Sequence, residues 1–139
     1  MVLQQGRCAH KEGLSRSKGQ SSTAAAAYRA GVCITDERTG EVFDYTRKRG
    51  IEHSEIIVPE KAHADLQRMA DMSRSTDPNE RGEGQAAFWN ANEKAHKRGD
   101  SIVAREIEVD IPHELSAEDR LQLVRDFGRA LADKWGCGV

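Results

Sequence analysis

The sequence has few aromatic residues and no long apolar run. Aromatics make up 5% of the 139 residues, against 32% charged and 37% hydrophobic, and mean hydropathy is -0.71. A large aromatic core is thereby excluded, and the interior must be lean and rich in small side chains. No segment approaches the ~18 apolar residues of a membrane span, and Met1 to Gly13 has no apolar stretch like that of a secretory signal. No membrane partner is expected, and the expected location is cytoplasmic. Cysteine is also scarce. Cys8, Cys33 and Cys137 are odd in number and widely spaced, which fits neither a disulfide framework nor a paired metal motif. The pair Cys8 and His10 offers two metal ligands with no second pair to complete a site. Histidine is equally dispersed: His10, His53, His63, His96 and His113 contain no two residues closer than ten positions.

What is present is an uneven charge distribution. The net charge of -2 divides into nine Lys/Arg against five Asp/Glu over residues 1–50, and twelve against eighteen over 51–139. The first fifty residues are therefore at +4 and the remainder at -6. Two basic clumps, Arg16 with Lys18 and Arg47-Lys48-Arg49, lie beside hydroxyl residues and glycine. That composition suits phosphate contact, with cations supplying charge and hydroxyl and backbone N–H groups fixing register; it equally describes a solvated surface.

Ser21, Ser22 and Thr23 can each cap a helix. The run Ala24 to Ala27 followed by Tyr28, Arg29 and Ala30 has the highest helix propensity in the chain, and Gly31 is a natural stop. Four alanines allow close backbone approach, so this helix presents one large side chain, Tyr28. Val32, Ile34, Val42, Phe43 and Tyr45 flank a glycine-containing turn and read as a hairpin. Ile51 to Val58 reads as a short strand ended by Pro59, and Glu60 to about Ser73 as a helix burying Leu66, Met69 and Ala70. Residues 75–84 show no periodicity and read as a mobile loop, with a helix over Gln85 to Arg98 beyond it. Ile102 to Ile111 alternates, placing Val103, Arg105, Ile107, Val109 and Ile111 on one face and Ala104, Glu106, Glu108 and Asp110 on the other. Its carboxylates are either solvated or line a site. Ser116 to Trp135 opens with Ser116 and Asp119 in capping-box spacing and predicts burial of Leu121, Val124, Phe127, Leu131 and Trp135. Residues 137–139 read as the start of another strand.

Several of these segments resemble one family in order and spacing. They are Ser-Arg-Ser-Lys-Gly-Gln-Ser-Ser-Thr-Ala-Ala-Ala-Ala-Tyr-Arg-Ala-Gly at 15–31, Asp-Glu-Arg-Thr-Gly-Glu-Val at 36–42 with Asp-Tyr-Thr-Arg-Lys at 44–48, Phe-Trp-Asn at 88–90, Ala-Arg-Glu-Ile-Glu at 104–108 and Pro-His-Glu-Leu at 112–115. Together they resemble the amino-terminal part of MobA/MobL relaxases, the DNA-nicking enzymes of plasmid mobilisation, close to the Ti-type TraA relaxases. The resemblance implies an α+β fold, an antiparallel sheet with helices packed on it, here incomplete at both ends, so that residues 1–139 form a partial relaxase domain.

By residue chemistry alone Tyr28 is a half-buried packing tyrosine. The resemblance instead makes it the nucleophile that attacks a phosphodiester of the transfer origin, keeping the 5′ phosphate and releasing a 3′ hydroxyl. A phenol of ordinary pKa ~10 needs a base or a polarised phosphate for this, and the resemblance offers Glu106 or Glu108 as proton acceptor or as support for a metal site. Arg16, Lys18 and Arg29, with Arg47, Lys48 and Arg49, would contact DNA. Tyr45 fits packing or base stacking, and His113 a surface turn. The partners implied are single-stranded or hairpin origin DNA and relaxosome accessory proteins. The cofactor implied is a divalent metal, Mg²⁺ or Mn²⁺, held by a His-hydrophobe-His motif that the family places beyond Trp135 and that these residues do not contain. Efficient nicking by this chain alone is accordingly not expected, and a non-catalytic origin-binding module and an inactive remnant stand as alternatives. The family's apolar first strand has no counterpart in residues 1–13, which predicts a degraded or replaced strand, exposed sheet edges and marginal stability or association.

Overall fold

The computed structural model describes residues 1–4 and 13–139, with the backbone alone for Val2–Gln4; the Cys8 and His10 pair lies outside the described residues. The chain is α+β. Among the described residues the strands form three antiparallel two-stranded ribbons: β1 (Val2–Gln4) with β5 (Ile51–Ser54), β2 (Leu14–Ser15) with β6 (Ile102–Ala104), and β3 (Cys33–Thr35) with β4 (Val42–Asp44). Four α-helices accompany them among the described residues, α1 (Ser22–Ala30), α2 (Ala64–Ser73), α3 (Pro78–Ala95) and α4 (Ala117–Trp135).

α1 begins where the three hydroxyl residues place it. The Ser21 side chain accepts from the backbone N–H of Ala24, a cap worth about 1 kcal/mol. Gly31 takes a left-handed conformation at φ 65° and donates its N–H to Ala27, a geometry that costs glycine no Cβ clash. The alanine face packs as anticipated: Ala26 and Ala27 join Val32 and Ile34 in one core cluster. A second cluster gathers Ile56, Val58, Ala70 and Phe88. Trp89 on α3 packs against both, so one residue of the scarce aromatic class links two small cores.

Four expectations are corrected. Residues 78–84 are helical, not a loop: Asp77 caps Asn79, Pro78 occupies the first turn and Glu80 faces the helix's positive end. Gly84 then allows α3 to approach α2, since a Cβ there would stand 2.7 Å from the Ser73 amide nitrogen and 2.8 Å from the Met69 carbonyl oxygen. The first strand is present, Val2 pairing with Ser54 and Gln4 with Ile51. The expected ten-residue strand 102–111 is regular only over Ile102–Ala104, because Leu14–Ser15 gives it a two-residue partner; Ile107 and Val109 are exposed. Finally, α4 docks through its small residues. Gly128 and Ala132 are buried and the Ile57 side chain fills the space a Cβ would take at Gly128. The larger neighbours are rotated outward, leaving Phe127 and Trp135 exposed and Leu121, Val124 and Leu131 half-buried. Past α4, Val139 exchanges two backbone hydrogen bonds with Ile57, at 2.8 and 2.9 Å, the strand-like pairing anticipated for residues 137–139.

Candidate functional site

α1 has two different ends. At its N-terminus Glu93 of α3 accepts from the Ser22 backbone N–H at 2.6 Å and hydroxyl at 2.8 Å, placing a carboxylate at the positive pole of the helix. Arg16 closes the arrangement, its Nη2 2.6 Å and its Nε 3.2 Å from the Glu93 carboxylate and its Nη1 donating to the carbonyls of His96 and Arg98. Burial pushes the Glu93 carboxyl up, but Arg16 and Ser22 outweigh it and hold it below the usual carboxylate range. One turn position further, Thr23 donates to Asp36 at 2.6 Å. Asp36 also accepts the N–H groups of Arg38 and Thr39, at 2.9 and 3.1 Å, fixing the β3–β4 turn. Its pKa is lowered by these bonds against the opposing effect of burial.

The other end, about 9 Å away along the helix axis, is open. Tyr28 is 48% exposed. Its ring meets Tyr45 edge-on, with centroids 5.2 Å apart, and the Lys48 ammonium sits 3.7 Å from its centroid, within cation–π range. Lys48 also donates to the Tyr28 carbonyl at 2.8 Å. Burial first, and then the Arg29 charge, lowers the Lys48 pKa. The platform under these side chains is a short ordered turn. The Asp44 carboxylate accepts from the Thr46 N–H and hydroxyl, Tyr45 N–H donates to Val32 at 3.2 Å and Lys48 N–H to Tyr45 at 2.9 Å.

Arg29, next to Tyr28, is bound by both candidate carboxylates: Glu106 contacts its Nε and Glu108 lies 2.8 Å from Nη2. Desolvation pulls the Arg29 pKa down, and the two carboxylates more than reverse it. This ion-paired clamp holds the irregular segment after β6 beside the last turn of α1.

The residues singled out from the sequence thus separate. Tyr28, Arg29, Lys48, Glu106 and Glu108 come together, and Arg47 and Arg49 are exposed on the turn that carries Lys48. Lys18 is exposed on the helical turn that precedes α1, away from Tyr28. Arg16, read as a phosphate contact, faces inward, its side chain 9% exposed and committed to Glu93. Sequence reasoning missed Glu93, Asp36 and Glu55, the last buried with Arg125 Nε 2.6 Å from its carboxylate. The stretch holding Glu93 has no apolar stripe to mark an inward polar position; a hydroxyl-rich helix start with no acid in its first turn was the one signal that a carboxylate must come from elsewhere. Among the described residues no three His, Cys, Asp or Glu side chains stand together as metal ligands, so these residues do not by themselves fit a divalent ion. No described helix is long and apolar enough to cross a membrane.

Comparison with known proteins shows what the chain is similar to. Over 123 residues the chain is 50% identical to mobilization protein MobL of Acidithiobacillus ferridurans, covering 88% of this chain and 28% of that protein. It is 39% identical over 115 residues to conjugal transfer protein TraA of Rhizobium radiobacter, covering 82% of this chain and 10% of the relative. The chain therefore spans less than a third of the length of these relatives. A solved structure from work on the molecular basis of vancomycin resistance transfer in Staphylococcus aureus superposes with a TM-score of 0.71 at 26% identity, over 92% of this chain and 58% of that one. Residues 20–139 match the MobA/MobL family, and with 120 of 139 residues inside that match the chain belongs to the MobA/MobL family.

Proposed function

We propose that this chain is the tyrosine-bearing part of a plasmid-mobilisation relaxase, acting in the cytoplasm on single-stranded or hairpin origin DNA together with relaxosome accessory proteins. The observation that carries the reading is a half-exposed tyrosine, Tyr28, at an open helix end beside Lys48 and Arg29, with Arg47 and Arg49 exposed on the turn that carries Lys48. Cations there attract a phosphodiester and offset the negative charge that builds on it as it becomes five-coordinate. The Tyr28 oxygen attacks phosphorus and its proton passes to Glu106 or Glu108. As the new P–O bond forms the P–O3′ bond breaks, leaving a 5′-phosphotyrosyl link and a 3′ oxygen that takes a proton from solvent. The linkage conserves a phosphodiester, so rejoining needs no external energy source. The Mg²⁺ or Mn²⁺ implied by the family would polarise the phosphate; its ligands are not supplied by the described residues, and the part assigned to this chain is that of nucleophile, proton acceptor and cationic cradle.

The test is incubation with a supercoiled plasmid carrying the cognate transfer origin and Mg²⁺ or Mn²⁺, followed by denaturing electrophoresis. A covalent protein–DNA adduct that disappears in Tyr28→Phe is the expected result. Salt-sensitive retention of the origin strand with no adduct would replace the enzyme by an origin-binding module, and no retention would overturn both.

A further inference from the structure

We propose that Tyr45 is a stacking seat for an unpaired nucleobase adjacent to the phosphate that Tyr28 addresses, so that the open end of α1 reads a base as well as a charge. This rests on the DNA-processing reading above and adds a second ligand group, the base, to the phosphate that the cations attract.

Four observations carry it. In a chain with 5% aromatic residues, two rings stand 5.2 Å apart and both remain partly open, Tyr28 at 48% and Tyr45 at 37%. An aromatic pair built only for packing would be expected to bury more of its area. Second, Lys48 already occupies a face of Tyr28, 3.7 Å from the ring centre, so a base is better received by Tyr45. Third, Tyr45 is held in place before any ligand arrives. The Asp44–Thr46 turn, the Tyr45 to Val32 backbone bond and the edge contact with Tyr28 fix its backbone and ring, which lowers the entropic cost of stacking. Fourth, Tyr45 opens the run Tyr45-Thr46-Arg47-Lys48-Arg49. An aromatic next to clustered cations supplies both halves of single-strand recognition, stacking for the base and charge for the backbone. The one carboxylate beside the run, Asp44, is occupied by Thr46.

The ligand class is single-stranded DNA. The experiment compares binding, by fluorescence anisotropy, of a labelled mixed-sequence single strand with a strand of equal length whose sugars lack bases. The proteins are the wild type, Tyr45→Ala and Tyr45→Trp. Wild type is expected to prefer the base-bearing strand by about 5- to 100-fold, the range that removal of one stacking side chain produces. Tyr45→Ala should bring the base-bearing strand down to the abasic affinity and leave the abasic affinity and the salt slope in place, since no phosphate contact has been removed. Tyr45→Trp should keep the preference. If Tyr45→Ala binds both strands as the wild type does, the stacking seat is wrong. If Tyr45→Ala loses both strands, Tyr45→Trp decides: a retained base preference upholds the proposal and an absent one overturns it. The two readings fail differently. A wild type that forms the Tyr28 adduct but does not distinguish the strands removes the seat alone, whereas one that binds neither strand removes the DNA-processing reading and the seat together.

Discussion

The two ends of α1 differ in what compensates their charge. At Ser22 the compensation is internal: Glu93 and Asp36 are buried, and Arg16, Ser22 and Thr23 consume their hydrogen-bonding capacity. At Tyr28 the compensation is partial: Arg29 is ion-paired with Glu106 and Glu108, Lys48 lies over the Tyr28 ring, and Arg47 and Arg49 are exposed. A helix whose first turn is pinned can carry a reactive group on its last turn without that group contributing to stability. The comparison therefore predicts large stability effects and no direct chemistry at the first end, and the reverse at the second.

Removing the buried charge tests the pinned end most severely. Glu93→Gln leaves the Arg16 guanidinium buried without its carboxylate, and breaking such a pair costs about 3–5 kcal/mol. Urea unfolding should show a lower midpoint with little change in slope. A loss under about 1 kcal/mol would mean that the pair is a solvated ornament of the fold. Asp36→Asn is next, weakening the Thr23 bond and one end of the β3–β4 turn, with an expected loss of about 1–3 kcal/mol.

Acid should act on that end and on the buried Glu55 beside α4. Glu93, Asp36 and Glu55 all have pKa values lowered by folding, Glu55 to about 2. For Glu55 burial works in the opposite direction and is overcome by His53 and Arg125. A depressed carboxylate stabilises the fold fully above its unfolded pKa, near 4.5, and the contribution fades as pH falls toward the folded value. The part of the stability that these three carboxylates supply, followed by near-ultraviolet circular dichroism, should therefore be complete above about pH 5 and decline steadily below about pH 4.5. In Arg125→Met the decline should be shallower, because Glu55 loses a partner that favours its charged form. A decline that begins on the alkaline side would contradict the sign of all three shifts.

How much of this was legible follows from what each signal measures. Caps and glycine stops are local, so Ser21, Gly31, Ser116 and Gly136 mark the ends of α1 and α4 correctly. The Asp77-Pro78 start of α3 was also written in the sequence, but the glycines at 82 and 84 and the missing apolar stripe hid it. Alternation over 102–111 describes which side chains share a face and not whether a neighbouring strand is long enough to pair them; β2 has two residues. On α4 the apolar stripe was visible, yet contact is made by Gly128 and Ala132, residues that a search for bulk passes over. At the site, Tyr28 and Lys48 were found through their neighbours in sequence. Glu93 was not, because its partners lie 71 and 77 positions away.

Arg29→Met probes the boundary between the two ends. Its contacts with Glu106 and Glu108 are partly solvated, with side chains 30%, 23% and 28% exposed, so solvent screening limits the stability loss to about 1 kcal/mol or less. The visible change should instead be local. Amide exchange over residues 105–110 should accelerate once the clamp is gone, while exchange in α1's first turn stays slow. Equal acceleration at both places would show that the ends of the helix open together and that the distinction between them is false.

The smallest effect should come from Tyr28→Phe. Among the described residues the phenol oxygen makes no hydrogen bond, and the benzyl ring keeps its edge contact with Tyr45 and its place under Lys48. The exchange removes one half-exposed hydroxyl from a helix end held by other groups, so unfolding free energy should move by no more than about 0.5 kcal/mol. A larger loss would make Tyr28 part of the packing that its sequence chemistry first implied, and any missing adduct in that variant could then be a consequence of unfolding. A change within that bound, combined with complete loss of the adduct, places the hydroxyl in the chemistry and outside the fold. No substitution at Glu93 can produce that combination, because there the group that would be removed is one the helix needs in order to stand.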